Sequence, residues 1–214
     1  MARVSFPFAG FRSTAHPILV IVLSALAPHS SNAADPGPWT SLFNGKDLAG
    51  WKVPDPNPFW RVENGVLVGE SDEKQTGSML WTEKKFGDFV FEADVRWQGD
   101  PDSGVFMRTP ALQVQVGTSI SQKRDLTGSF YLPPAGYPEH AQAKEAAKFL
   151  NKPGEWNTLR IEAKGTTFKV SINGHPASQL SDAKYAEAGP LGVQIHQKLK
   201  MKVEFRNIRV AEMR

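Results

Sequence analysis

The chain has 214 residues, 40% of them apolar and 22% charged, enough to bury one substantial core but hardly two. It carries 25 Lys and Arg against 22 Asp and Glu, a formal net charge of +3, and no basic cluster interleaved with aromatics, which argues against a nucleic-acid groove. Cysteine is absent; disulfides, thiolate zinc sites and a lipid-modified N-terminal Cys are excluded, and burial must supply the stability.

The first segment reads as an export signal. Arg3 and Arg12 give a positive start without acids, Ile18 to Ala27 is an apolar run, and Ser31-Asn32-Ala33 offers small residues at a cleavage site. The run is far short of the roughly 20 apolar residues a spanning helix needs. Residues 1–33 are therefore expected to be a signal peptide and 34–214 a single domain, periplasmic or secreted and free of the membrane once cleaved. Losing Arg3 and Arg12 takes the net charge to +1.

From Trp39 onward short apolar-alternating runs are separated by Gly, Asn, Asp and Pro, the pattern of an antiparallel sandwich or barrel. Asn44-Gly45, Asn64-Gly65 and Asn173-Gly174 each lie between such runs and predict three tight hairpins. Period two puts Phe89, Phe91, Ala93, Val95 and Trp97 on one strand face and Val90, Glu92, Asp94 and Arg96 on the other. Leu112, Val114 and Val116 point inward and send Gln113 and Gln115 to the opposite side. Glu139 to Leu150, rich in Ala, Lys and Glu, predicts about three helical turns that must lean on the sandwich. Phe168, Val170 and Ile172 form another inward face. Leu191, Val193 and Ile195 form one more, with Gln194 and His196 on its polar side. In the last run Val203 and Phe205 are odd-numbered but Ile208 and Val210 even-numbered, which predicts a β-bulge near Asn207.

Several blocks resemble a known family. Leu42 to Trp51, Trp60 to Leu67, the Asp102-Ser103-Gly104-Val105-Phe106-Met107-Arg108 run, Gly154 to Thr158, Gly189 to His196 and Val203 to Val210 are similar, in order, to the motifs of the 3-keto-disaccharide hydrolases. The family's third block reads N-S-G-I-F-L-R. The resemblance covers nearly the whole mature chain and implies an all-β, concanavalin-A-like jelly-roll sandwich that cleaves 3-keto-glycosides. The commoner family pattern has Glu-x-Gln on the following strand, whereas this chain has Gln113-Val114-Gln115.

Ordinary glycosidases set two carboxylates across the scissile bond. Glu92-Ala93-Asp94 is an incomplete version, better read as an ion-paired outer face, and Glu70 is the best spare acid. A C3 ketone relaxes the requirement, because the C2 proton becomes acidic and the C1 oxygen can leave by elimination, with water adding afterwards. The expected catalytic residues are His196, as base or acid, and Arg108, as an oxyanion or hydroxyl clamp. Gln113, Gln115, Gln194, Lys123, Arg124, Tyr131 and Trp81 are expected to bind substrate through amides, loop cations and ring stacking. The spacing of His, Asp and Glu suggests no metal centre and no cofactor is expected, although jelly rolls frequently hold a structural Ca2+. A carbohydrate is the expected partner, with a functional link to a separate sugar 3-oxidoreductase that makes the ketone. The alternative is a carbohydrate-binding module without turnover.

Overall fold

In the computed structural model the described residues are Met1 and 37–213, so the signal-peptide expectation falls outside them. Among the described residues fifteen strands make up about half of the domain: β1 Trp39–Ser41, β2 Trp51–Lys52, β3 Trp60–Glu63, β4 Val66–Glu70, β5 Ser78–Phe86, β6 Phe89–Trp97, β7 Asp102–Met107, β8 Leu112–Ser119, β9 Arg124–Asp125, β10 Phe130–Tyr131, β11 Asn157–Lys164, β12 Thr167–Ile172, β13 His175–Ser181, β14 Gly189–Ile195 and β15 Lys202–Glu212. They form two antiparallel sheets. The first runs β13-β12-β11-β6-β15-β4-β3 with β1 also on β15, and the second runs β10-β8-β7-β14-β5-β2 with β9 on β8. The fold is all-β, a jelly-roll sandwich.

The alternating residues meet between the sheets. Phe89, Phe91, Ala93 and Val95 from the first sheet face Leu112, Val114, Val116, Leu191, Val193 and Ile195 from the second, all buried. Each large apolar side chain so placed contributes about 1.5–3 kcal/mol. Two of the three Asn-Gly pairs are hairpin turns. Asn64 and Gly65 have φ of 50° and 78° between β3 and β4, and Asn173 and Gly174 have 51° and 81° between β12 and β13, the double positive φ that matches strand twist. Asn44-Gly45 is not one, because β1 pairs with β15 and β2 with β5. There Asn44 Oδ1 accepts the N–H groups of Lys46 and Asp47, a side-chain turn that carries the chain from one sheet to the other. The expected bulge is present, with a register shift between Arg206 and Arg209 and a φ of 52° at Asn207.

The helix expected over Glu139 to Leu150 does not form. Two single 3-10 turns, Glu139–Ala141 and Ala146–Lys148, are separated by an extended Gln142. A lone three-turn segment gains too little to pay nucleation, and Ala143 donates its N–H to Ser129 Oγ instead. The turn at Glu139–Ala141 packs against β13, and Ser178 of β13 bonds to the Gly128 carbonyl of the second sheet's loop. On β13 the register slips between Val170 and Ser171 of its neighbour, and Pro176 interrupts the donors.

The outer face of the first sheet is an ion-paired ladder. Glu92 pairs with Arg160 and Arg209, Asp94 with Arg206, and Glu204 with Arg96. The Trp156 ring meets the Arg96 and Arg206 guanidiniums at 4.5 and 4.2 Å from its centroid. Glu70, the spare acid, is held by Arg61. The hydrogen bond from Arg96 holds the Glu204 carboxyl below its ordinary range, with help from the Lys202 charge and against burial. A depressed carboxyl stabilises the fold above its unfolded pKa and ceases to do so as pH falls through the folded value. Glu204→Gln should therefore flatten the acid limb of a plot of melting temperature against pH, below about pH 4, as thermal melts across that range will show.

Candidate functional site

The outer face of the second sheet carries most of the expected binding residues. Register aligns Tyr131, Gln113, Phe106, Gly192, Trp81 and Lys52 in one row across six strands. One step along the strands, Gln115 lies opposite Gly104 and Gln194 opposite Met79. Asp102 follows on β7, and His196, one residue past β14, keeps the parity of Gln194.

Two glycines shape this face. A Cβ on Gly192 would stand 2.4 Å from the Trp81 ring, and one on Gly104 would stand 2.7 Å from the Gln113 amide. The indole therefore lies over Gly192 and the carboxamide over Gly104, each flat against the sheet. Phe106 meets Trp81 edge-on at 5.9 Å. Both rings are half-buried and together offer an apolar surface for the C–H face of a pyranose.

The polar side is a connected network. Gln113 donates to Gln115 Oε1 at 2.8 Å, the Tyr137 hydroxyl donates to the same oxygen at 2.6 Å, and Gln115 donates to Asp102 Oδ1 at 2.9 Å. The other Asp102 oxygen accepts the Ile120 N–H at 2.7 Å. Gln115 is fully buried beneath Tyr137, so it orders the site from below and does not touch a ligand. Burial and then the Asp102 charge push the Tyr137 phenol above its usual range and keep it a donor. Gln194 Oε1 is buried without a partner among the described residues. His196 Nδ1 lies 2.6 Å from the Gln197 carbonyl; a carbonyl only accepts, so Nδ1 carries a proton, and in the neutral ring Nε2 is the nitrogen with the lone pair.

Lys123 and Arg124 stand apart from this face, at the rim of an open groove of about 610 Å3 across the end of the sandwich. Trp97, Ile120 and Leu199 form its apolar part and Asp100 and Asp125 its acidic part. Ile120 joins the groove to the network through its bond to Asp102. Arg124 also donates to Gln142 at 2.7 Å.

Arg108 does not belong to the site, which corrects the expectation from its motif. Parity would put it on the outer face, but its φ of 68° turns the side chain inward. Its guanidinium is buried, bonds to Asp88 Oδ1 at 3.1 Å and to the Gly165 and Ala186 carbonyls, and packs on the Phe89 and Phe168 rings. It also follows the Met107 end of β7, about 20 Å from the Asp102 end. Sequence reading missed Asp102, Phe106 and Tyr137 as site residues. The available signal was the pair of glycines at outward parity, together with Asp where the family block has Asn. Among the described residues no three His, Asp or Glu gather as for a metal ion.

The comparisons with known proteins agree with the fold. A “putative glycosyl hydrolase” from Parabacteroides distasonis is 22% identical, with a TM-score of 0.62 over 82% of this chain and 94% of that one. A second from the same organism is 23% identical, with a TM-score of 0.58 over 94% and 100%. A carbohydrate-binding module from Bacillus subtilis is 15% identical, with a TM-score of 0.51 over 83% and 98%. At these identities the likeness is one of fold. No curated protein matches. Residues 38–211 match the 3-keto-alpha-glucoside-1,2-lyase-like domain, and the chain belongs to that family.

Proposed function

We propose that the protein cleaves 3-keto-disaccharides by elimination and rehydration next to the C3 ketone. The observation that carries the reading is a face that joins a ring platform, the unpartnered Gln113 carbonyl and a histidine with a free Nε2, but sets no carboxylate pair across a sugar. The acid nearest the carboxamides, Asp102, is occupied at both oxygens. Glu92 and Asp94 are ion-paired on the other sheet. An oxocarbenium route with paired acids therefore finds no support.

In the proposed reaction the sugar stacks on Trp81 and Phe106, and Gln113, Gln194 and Tyr131 hold its hydroxyls. His196 Nε2 takes the C2 proton. The C–H electron pair moves into the enolate and then forms the C1–C2 double bond as the C1–O bond breaks. The leaving oxygen takes up a proton, and water then adds across the double bond, with its oxygen at C1 and a proton returned to C2. Lys123 and Arg124 line the groove in which the leaving unit would rest. A separate sugar 3-oxidoreductase must supply the ketone, and export by the leader would place the reaction in the periplasm or outside the cell.

Matched keto and unoxidised disaccharides, incubated with the mature protein and separated by chromatography, test the proposal. Release of the aglycone sugar from the keto substrate alone is expected. Equal cleavage of both would exclude elimination. Binding with no cleavage of either substrate would favour the carbohydrate-binding module, a reading that draws on Gln113 standing where the commoner family pattern has Glu.

A further inference from the structure

Neither Gln113 nor Gln115 is free to choose which end of its amide faces which neighbour. A carboxylate only accepts, so Gln115 must turn its amino end to Asp102 Oδ1, and its carbonyl is left to face the other way. That carbonyl receives Gln113 Nε2 and the Tyr137 hydroxyl. Gln113 therefore commits its amino group to Gln115, with a long second contact of 3.5 Å to the Ser103 carbonyl. Its own carbonyl oxygen is the end left without a partner among the described residues. The Ile120 N–H holds Asp102 in place through Oδ2, and the Tyr137 hydroxyl, which can donate or accept, follows the direction that the carboxylate sets.

We infer that Asp102 is a positioning residue that sets the hydrogen-bond polarity of the face. Acting through Gln115, it frees the Gln113 carbonyl for the ligand. At this point the face thus reads a donor: the ligand group opposite the Gln113 oxygen is a hydroxyl, and an acceptor-only ketone oxygen is held elsewhere. The identity of the ligand rests on the carbohydrate reading above, whereas the polarity of the network does not.

The same links can be satisfied with every donor reversed if the carboxylate sits at position 113 and an amide at 102. This makes the inference testable by a double-mutant cycle. Gln113→Glu alone sets a carboxylate against the Gln115 carbonyl, which Asp102 holds in place. The new carboxyl stays bonded only while it keeps its proton, so its folded pKa is raised. Stability is retained below the unfolded pKa and lost as pH rises through the folded one. Between pH 5 and pH 8 this variant should lose roughly 5 °C more in melting temperature than the parent protein.

Adding Asp102→Asn lets Gln115 turn round, donate to the new carboxylate and accept from the new amide. The double variant should recover the parent's pH dependence. If the two single effects simply add, or if Gln113→Glu shows no loss towards pH 8, Asp102 does not orient Gln113 and the inference falls. A second arm reads the ligand. Asp102→Asn alone turns the amino end of Gln113 outward and should weaken binding of an unoxidised glucose disaccharide about tenfold, by titration calorimetry, through the loss of one acceptor contact. Full recovery in the thermal cycle with no sugar bound by any form, the parent included, would remove the carbohydrate reading and leave the polarity intact.

Discussion

Arg108→Ala is expected to lower the melting temperature by roughly 10 °C while leaving the turnover of each folded molecule nearly unchanged. The guanidinium closes one end of the core, with Asp88 on one side and two aromatic rings on the other. Removing one member of a buried pair costs about 3–5 kcal/mol. The lower end applies here because the Asp88 side chain is 39% exposed and can be hydrated once Arg108 is gone. For a domain of this size each kcal/mol moves the midpoint by about 2–4 °C. Asp88→Ala should cost as much, since it leaves the cation buried with carbonyl partners alone. Scanning calorimetry measures the shift. A large drop in rate without a drop in stability would return Arg108 to the catalytic site.

His196→Ala is expected to reduce kcat on a 3-keto-disaccharide by about 10^2–10^4-fold, the range of a lost general base, with a much smaller change in KM. The side chain contributes little to the core, being half-exposed at the end of β14, so the melting temperature should barely move. Among the described residues its one side-chain bond runs to the carbonyl of the next residue, which orients the ring but leaves Nε2 to the substrate. Added imidazole should restore part of the rate, because a small base can occupy the space the side chain vacates. A rate equal to that of the parent protein would assign proton abstraction to another group.

Much of the sandwich was legible because period-two alternation is a local signal. Phe89 to Val95, Leu112 to Val116 and Leu191 to Ile195 point where their spacing requires, and the parity change around Asn207 marks its bulge. The errors arose where long-range geometry overrides the local signal. Asn44-Gly45 has the chemistry of a hairpin, but its flanking strands pair with β15 and β5. The Ala-rich segment after Pro138 has helical composition, yet the backbone finds better partners on the sandwich. Arg108 lies in a well-formed motif, and only its positive φ, invisible in the residue type, shows that it faces the core. For the site, parity grouped Gln113, Gln115, Gln194 and His196 on one side of the sheet. It gave no indication that Tyr137, more than twenty residues further on, would fold over Gln115, or that Lys123 and Arg124 would sit at the end and not on the face.

The last strand of a sheet ordinarily offers unpaired backbone groups to any strand that arrives, which is how sheets from different molecules fuse and grow into fibres. β13 occupies that position in the larger sheet, and three features spoil it as a template. Pro176 has no N–H to give, the slip beside Val170 breaks the straight row, and the turn at Glu139–Ala141 lies against the strand. The failed helix thus has a use as a guard: by packing its first short turn against the edge, it denies a second copy the flat surface on which strand-by-strand assembly would begin.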